Sequence, residues 1–124
     1  MSDAELIERF ERADFDEFHH ADHVHVAFAY VRTMPLLDAI ARFTAALRRF
    51  ATAQGKPQLY HETITWAFLL IIHERLQRAP AEWDVFVRDN ADLLRWKPSV
   101  LDAYYSSEVL GSELARRVFV LPRA

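Results

Sequence analysis

Residues that break helices are scarce in this chain, and they lie between its periodic segments. The 124 residues include two glycines and five prolines, and most of the prolines fall where one apolar repeat ends and the next begins. Between these breaks, apolar residues recur at every third or fourth position, which is the period of an amphipathic helix. This spacing predicts an almost entirely helical chain and argues against a parallel sheet built from βαβ units.

Capping signals and prolines mark where the helices should begin. Ser2 and Glu5 have the spacing of a capping box, which predicts a short helix to about Arg12. Four longer helices should follow, over residues 17 to 32, 35 to 54, 60 to 77 and 80 to 94, with Asp14 or Asp16 capping the first of them. Short loops favour antiparallel neighbours. We therefore predict an all-α fold, an up-down-up-down bundle of four main helices with short additional N- and C-terminal helical segments, in one domain spanning residues 1 to 124.

Composition narrows the functional classes. With 52% hydrophobic and 27% charged residues, the chain is typical of a soluble globular domain. A formal net charge of −3 argues against general nucleic-acid binding, which needs a basic face. The longest apolar run, Trp66 to Ile72, is far shorter than the roughly 20 residues of a membrane span. We expect a cytoplasmic protein with neither nucleic acid nor membrane as a partner, and the sequence leaves self-association as a homo-oligomer open.

Clustered histidines are the strongest chemical signal. Four of the six histidines lie between residues 19 and 25, and His61 opens a later helix. Helical spacing places His20 and His23 on the apolar stripe of their helix, and His61 on the stripe of its own. In the predicted bundle these two helices run the same way, so their N-terminal ends meet at one end of the molecule. We therefore expect the three imidazoles to share one hollow.

One interpretation of the cluster is a metal site. Two ligands three residues apart on one helix, supplemented from a facing helix, are how helical bundles hold metals. His20, His23 and His61 would supply nitrogen ligands and Glu62 a carboxylate. Because the chain has no cysteine, all ligands must be nitrogen or oxygen, which leaves zinc, iron, manganese and copper as candidates for a divalent transition metal. A standard di-iron site is not expected, because only Glu17 and His20 show its Glu-x-x-His spacing.

A metal-free interpretation uses the same end of the bundle. His20 or His23 would act as general base, oriented by a carboxylate, and tyrosine hydroxyls would stabilise an anionic intermediate. Helix N-termini at this end would also favour a small anionic ligand. The candidates for catalysis are Glu62, Tyr30 and Tyr105, and those for ligand binding are Thr63, Thr65 and Asn90.

Three segments together resemble a family of small bacterial helical proteins. They are the His-x-x-His helix start at residues 20 to 23, the run from Tyr60 to Thr65 (YHETIT), and Tyr105 and Ser106 near the C-terminus. The resemblance covers most of the chain from Phe18 onward, and this chain is shorter than the family around Gly55. It implies that the three segments act as one unit, and it implies no substrate, cofactor or mechanism.

Two functional hypotheses follow from these residues. The first is a histidine-rich pocket that binds a metal ion or a small anionic ligand, with metal-dependent or acid/base catalysis open. The alternative is a non-enzymatic interaction or assembly module, in which the histidines are structural and aromatic residues pack against a partner. A shared cavity between the histidines would favour the first hypothesis, and histidines satisfied by internal partners would favour the second.

Overall fold

The fold is all-α, as the apolar period predicts. The computed structural model describes residues 1–123, which form seven α-helices and three short 3₁₀ helices with no strand. The α-helices are α1 (Asp3–Glu11), α2 (His20–Thr33), α3 (Leu36–Ala53), α4 (Glu62–Arg78), α5 (Trp83–Asp89), α6 (Ser107–Leu110) and α7 (Glu113–Arg117). The 3₁₀ helices are Pro57–Leu59, Ala91–Leu94 and Val100–Ala103.

The starts of the first two helices differ in how well local signals predict them. At α1 the Ser2 hydroxyl accepts a hydrogen bond from the Glu5 N–H at 3.1 Å, as the capping box predicts. Helix α2 begins at His20 instead of residue 17, and its N-cap is His19 instead of Asp14 or Asp16. The preceding residues are non-helical, and Phe18 among them packs against Phe10 and Phe50 of other helices, with ring centroids 5.2 and 4.8 Å apart.

The predicted fourth long helix is broken after seven residues. Helix α5 ends at Asp89, and the chain continues through two 3₁₀ helices. The guanidinium of Arg75 explains the break, since it binds Asn90 at 3.1 Å and Asp92 at 2.7 Å. Side chains two residues apart do not face the same side of an α-helix, so both contacts require the chain to leave α-helical geometry. Three long helices, α2, α3 and α4, therefore replace the predicted set of four.

Helix α2 is the centre of the core, and contacts α1, α3 and α4. All side chains from Val26 to Val31 are buried, because α1 covers the side that a surface helix would expose. Phe10 of α1 stacks on Phe43 and Phe50 of α3 at 5.4 and 5.6 Å. These contacts pack α1 against α3.

The C-terminal segment is fastened along α4. Thr63 donates its hydroxyl hydrogen to the Val118 carbonyl at 2.8 Å and accepts from the Val120 N–H at 3.0 Å. The Tyr105 hydroxyl donates to the Val120 carbonyl at 2.7 Å. These bonds fix the tail beside the start of α4. Within residues 1 to 123, no helix combines the length and apolarity needed to cross a bilayer.

Candidate functional site

A cavity of about 770 Å³ lies beside the N-terminal ends of α2 and α4. His20, His23 and His61 all line it, so the structure brings the three predicted imidazoles to one hollow. We call it the histidine cavity. Its floor is apolar and is formed by side chains of the three long helices: Val24, Ala27, Phe43, Leu47, Phe50, Ile64 and Phe68. Its mouth carries exposed polar and aromatic residues: Asp16, Glu17, Gln54, Lys56, Trp96 and Arg116.

His23 has no hydrogen-bond partner for either ring nitrogen among the described residues, and Phe18 packs on its ring at 4.3 Å. Burial, assisted by the neighbouring His20, lowers the pKa of His23 from 6.5 to about 4, so the ring is neutral at pH 7. Trp66 Nε1 is the one unpaired side-chain polar atom fully closed off from solvent in residues 1 to 123. The nitrogens of His23 are therefore accessible, and the accessible space beside the ring is the cavity.

His20 uses one of its two nitrogens. Its Nε2 lies 2.8 Å from the Leu93 carbonyl oxygen. Because a carbonyl only accepts, Nε2 carries the proton and Nδ1 keeps a lone pair. The ring lies between Phe68 and Trp96, with centroids 5.1 and 5.0 Å away, and burial lowers the pKa of His20 despite the bond to Leu93. This residue can offer a ligand an acceptor and an aromatic wall.

His61 uses both nitrogens in the fold. Its Nδ1 accepts from the Ile64 N–H at 3.1 Å and so caps α4, while Nε2 donates to the Leu110 carbonyl at 2.7 Å. The ring therefore has no lone pair left for a metal ion. His61 borders the cavity as a structural wall and joins α4 to the end of α6.

The donors do not fit the predicted transition-metal site. No group of three or more His, Asp or Glu side chains in the part of the chain described here is placed to hold a metal ion. The engaged nitrogens of His61 and the bond from His20 to Leu93 are the reason, since they direct three of the six imidazole nitrogens to protein partners. Metal binding thus remains a prediction without a donor set to support it.

Glu62 lies outside the cavity lining, although it follows His61 directly. It accepts a hydrogen bond from the Tyr60 hydroxyl and forms an ion pair with Arg48 at 3.3 Å. The guanidinium of Arg48 lies 4.2 Å above the Tyr60 ring, and burial, with the bond to Glu62, raises the pKa of Tyr60. This carboxylate is held by a surface cluster and does not orient the histidines.

The two tyrosines proposed for catalysis also lie outside the cavity lining. Tyr30 is fully buried and donates to Glu11 at 2.8 Å, and Glu11 is paired with Arg42 at 2.8 Å. Burial, assisted by Glu11, raises the pKa of Tyr30. Tyr105 donates to the tail carbonyl of Val120, and burial raises its pKa. Both hydroxyl hydrogens are thus bound to internal acceptors, and neither tyrosine is placed to assist a ligand.

Of the residues proposed for ligand binding, only Thr65 lines the cavity. Its hydroxyl donates to the His61 carbonyl at 2.7 Å, as a helix residue bonding to the preceding turn. Thr63 is fully buried and holds the C-terminal tail. Asn90 lies at the end of α5, where it binds the Phe86 carbonyl at 2.9 Å and Arg75.

Sequence reasoning passed over several lining residues. The sequence patterns do not assign Tyr60, Lys56, Trp96 or Arg116 to the site, yet all four border the cavity. They come from the connection between α3 and α4, from the segment after α5 and from α7. These connections and the five-residue helix α7 are too short to show an apolar period in the sequence. The short loop before Tyr60, which contains Gly55 and Pro57, is the one clue that this connection would lie close to His61.

Comparison of the chain with known protein families, with curated proteins and with solved structures finds no match. The resemblance drawn from the three sequence segments therefore stays a prediction.

Proposed function

We propose that this protein binds a small, largely apolar organic molecule in the histidine cavity, and that His23 hydrogen-bonds the polar group of that molecule. The cavity volume, about 770 Å³, lies in the range of about 300 to 1,000 Å³ that is typical of small-molecule sites. Its aromatic and aliphatic floor would remove apolar ligand surface from water, which is the main source of affinity in such pockets.

The single observation that carries the proposal is the unpaired ring of His23. A neutral imidazole donates from one nitrogen and accepts at the other. A ligand that excludes water from this ring without replacing its hydrogen bonds would lose about 1–3 kcal/mol. The site would therefore prefer molecules that place a hydroxyl, carbonyl or carboxyl group next to His23, with His20 Nδ1 as a second acceptor.

The same chemistry favours binding over acid/base catalysis. A general base works best when its pKa lies near the working pH, whereas burial holds the pKa of His23 at about 4. Two carboxylates, Glu62 and Asp22, were candidates to orient the base. Glu62 is bound by Tyr60 and Arg48, and Asp22 accepts a hydrogen bond from the His19 N–H. A ligand that remains unchanged is the simpler proposal for this site.

One observation supports the alternative hypothesis of a non-enzymatic interaction or assembly module. His20 and His61 both bind backbone carbonyls, as structural histidines would. An open cavity with an unpaired third histidine between them was not expected under that hypothesis, and this is why we place it second.

Titration with the neutral fluorescent probe N-phenyl-1-naphthylamine tests the proposal. Ala51 lines the cavity and Ala45 is exposed on the same helix, away from it. We expect saturable binding to the wild type, a loss of affinity of roughly tenfold or more in Ala51→Phe, which fills the cavity, and no change in Ala45→Phe. A wild-type protein that binds neither this probe nor 1-decanol would overturn the proposal.

A further inference from the structure

A second cleft adjoins the histidine cavity. It has a volume of about 470 Å³ and shares two lining residues, Tyr60 and Arg116, with that cavity. We call it the arginine cleft, because Arg48, Arg116 and Arg117 all line it, together with Thr52, Pro57, Gln58 and Glu113. A molecule that passes Tyr60 and Arg116 would therefore touch an apolar floor at one end and guanidinium groups at the other.

Charge in the arginine cleft is only partly balanced. Arg48 is paired with Glu62 at 3.3 Å. Arg116 donates one hydrogen bond to the Gln58 carbonyl at 2.9 Å, and no carboxylate of residues 1 to 123 lies within ion-pair distance of Arg116 or Arg117. Glu113 is the only acidic residue in the cleft lining. Guanidinium groups with unused donors bind carboxylate and phosphate oxygens through paired hydrogen bonds.

We infer that the ligand is an amphipathic organic anion. Its body lies in the histidine cavity and places a polar group beside His23, and its anionic head lies beside Arg116 in the arginine cleft. This inference rests on the proposed function and adds the chemical class of the ligand. Lys56, which lines the histidine cavity, adds a further positive charge on the chain connection that contains Gln58. The head group can be a carboxylate or a phosphate, since both offer the oxygens that guanidinium groups recognise.

Two acidic residues could instead bind a ligand with a cationic head, which is the alternative to an anionic ligand. Asp16 and Glu17 border the mouth of the histidine cavity, and Glu17 lies 3.9 Å from the exposed ring of His19. A cationic amphiphile would be drawn to these carboxylates instead of the arginines. Neither acid lines the arginine cleft, so the sign of the preferred head group distinguishes the two positions.

Displacement of N-phenyl-1-naphthylamine from the full chain compares ligands of one chain length. We expect decanoate or decyl phosphate to bind roughly tenfold more tightly than neutral 1-decanol, because the head gains charge-assisted hydrogen bonds. Decylammonium should bind more weakly than 1-decanol. The ratio of decanoate to decyl phosphate identifies the preferred head.

Substitution of Arg116 locates the head. Arg116→Gln should reduce decanoate affinity roughly tenfold and reduce 1-decanol affinity much less, because the neutral head gains no charge-assisted bond. Arg117→Gln is a second variant that leaves the bond to Gln58 intact, and it should give a smaller loss. The matched control is Arg78→Gln, which removes the same charge from the far end of α4 and should have no effect.

The outcomes separate the two proposals. Equal affinities for decanoate and 1-decanol, with no effect of Arg116→Gln or Arg117→Gln, would overturn the anionic ligand while neutral binding leaves the proposed function standing. Tighter binding of decylammonium would also overturn it and would assign the head to Asp16 and Glu17. Failure of every neutral probe would overturn the proposed function itself.

Discussion

His61 donates a hydrogen bond from Nε2 to the carbonyl oxygen of Leu110 at 2.7 Å, across 49 positions of sequence. The same ring accepts from the Ile64 N–H at 3.1 Å. One side chain therefore caps a long helix and fastens the C-terminal part of the chain to it. This arrangement makes the residue a structural element of the cavity wall.

Replacing His61 should destabilise the fold, because the ring makes two hydrogen bonds whose contributions different substitutions can separate. His61→Ala removes the cap and leaves the Leu110 carbonyl without its partner, so we expect a loss of about 2–4 kcal/mol in the free energy of unfolding. His61→Asn retains a capping side chain and should lose roughly half as much. Urea unfolding measures both values. Equal stability of the wild type and His61→Ala would contradict the structural role.

The burial of His23 predicts a specific pH dependence of stability. Its pKa falls from 6.5 to about 4 on folding, so between these values the unfolded chain binds the proton more readily than the folded one. Stability from this group is complete above pH 6.5 and is lost as pH falls toward 4. We expect a loss of about 2–3 kcal/mol from this residue.

His23→Leu isolates the contribution of His23 protonation to stability, because leucine is similar in size to histidine and cannot be protonated. Unfolding free energies of both proteins, measured between pH 8 and 4, should diverge below pH 6.5 with the wild type losing more. Parallel curves over the whole range would contradict the lowered pKa of His23.

Tyr30 should contribute to stability and not to ligand binding. Tyr30→Phe removes one hydrogen bond to the partly buried carboxylate of Glu11, which keeps those from Arg42 at 2.8 and 2.9 Å, and we expect a loss of about 1–2 kcal/mol. Affinity for N-phenyl-1-naphthylamine should be unchanged. If the variant keeps its stability but loses probe binding, Tyr30 belongs to the site after all.

Metal analysis checks the donor geometry. Protein purified without a histidine tag should contain no stoichiometric transition metal by mass spectrometry, because both nitrogens of His61 are bound within the fold. One metal per chain, lost on His23→Leu and on His61→Asn, would show instead that His61 leaves its protein partners to bind the ion.

Local signals predicted the parts of the fold that depend on neighbouring residues. The apolar period predicted the all-α class and the long helices α2, α3 and α4 to within three residues at each end. It also placed His20, His23 and His61 on inward faces, and all three line the cavity. The prediction of a long fourth helix was wrong because the end of that helix depends on the contacts of Arg75 with Asn90 and Asp92, which lie 15 and 17 positions away in the sequence. No periodicity encodes such contacts.

The sequence by itself determined the all-α class, the three long helices and which histidines face inward, because helix period and capping act over three or four positions. Only the tertiary structure decided which imidazole nitrogens are used. The carbonyls of Leu93 and Leu110 that bind His20 and His61 lie 73 and 49 positions away. Their position depends on how the C-terminal segments pack, and this packing leaves His23 as the cavity histidine with both ring nitrogens unpaired among the described residues.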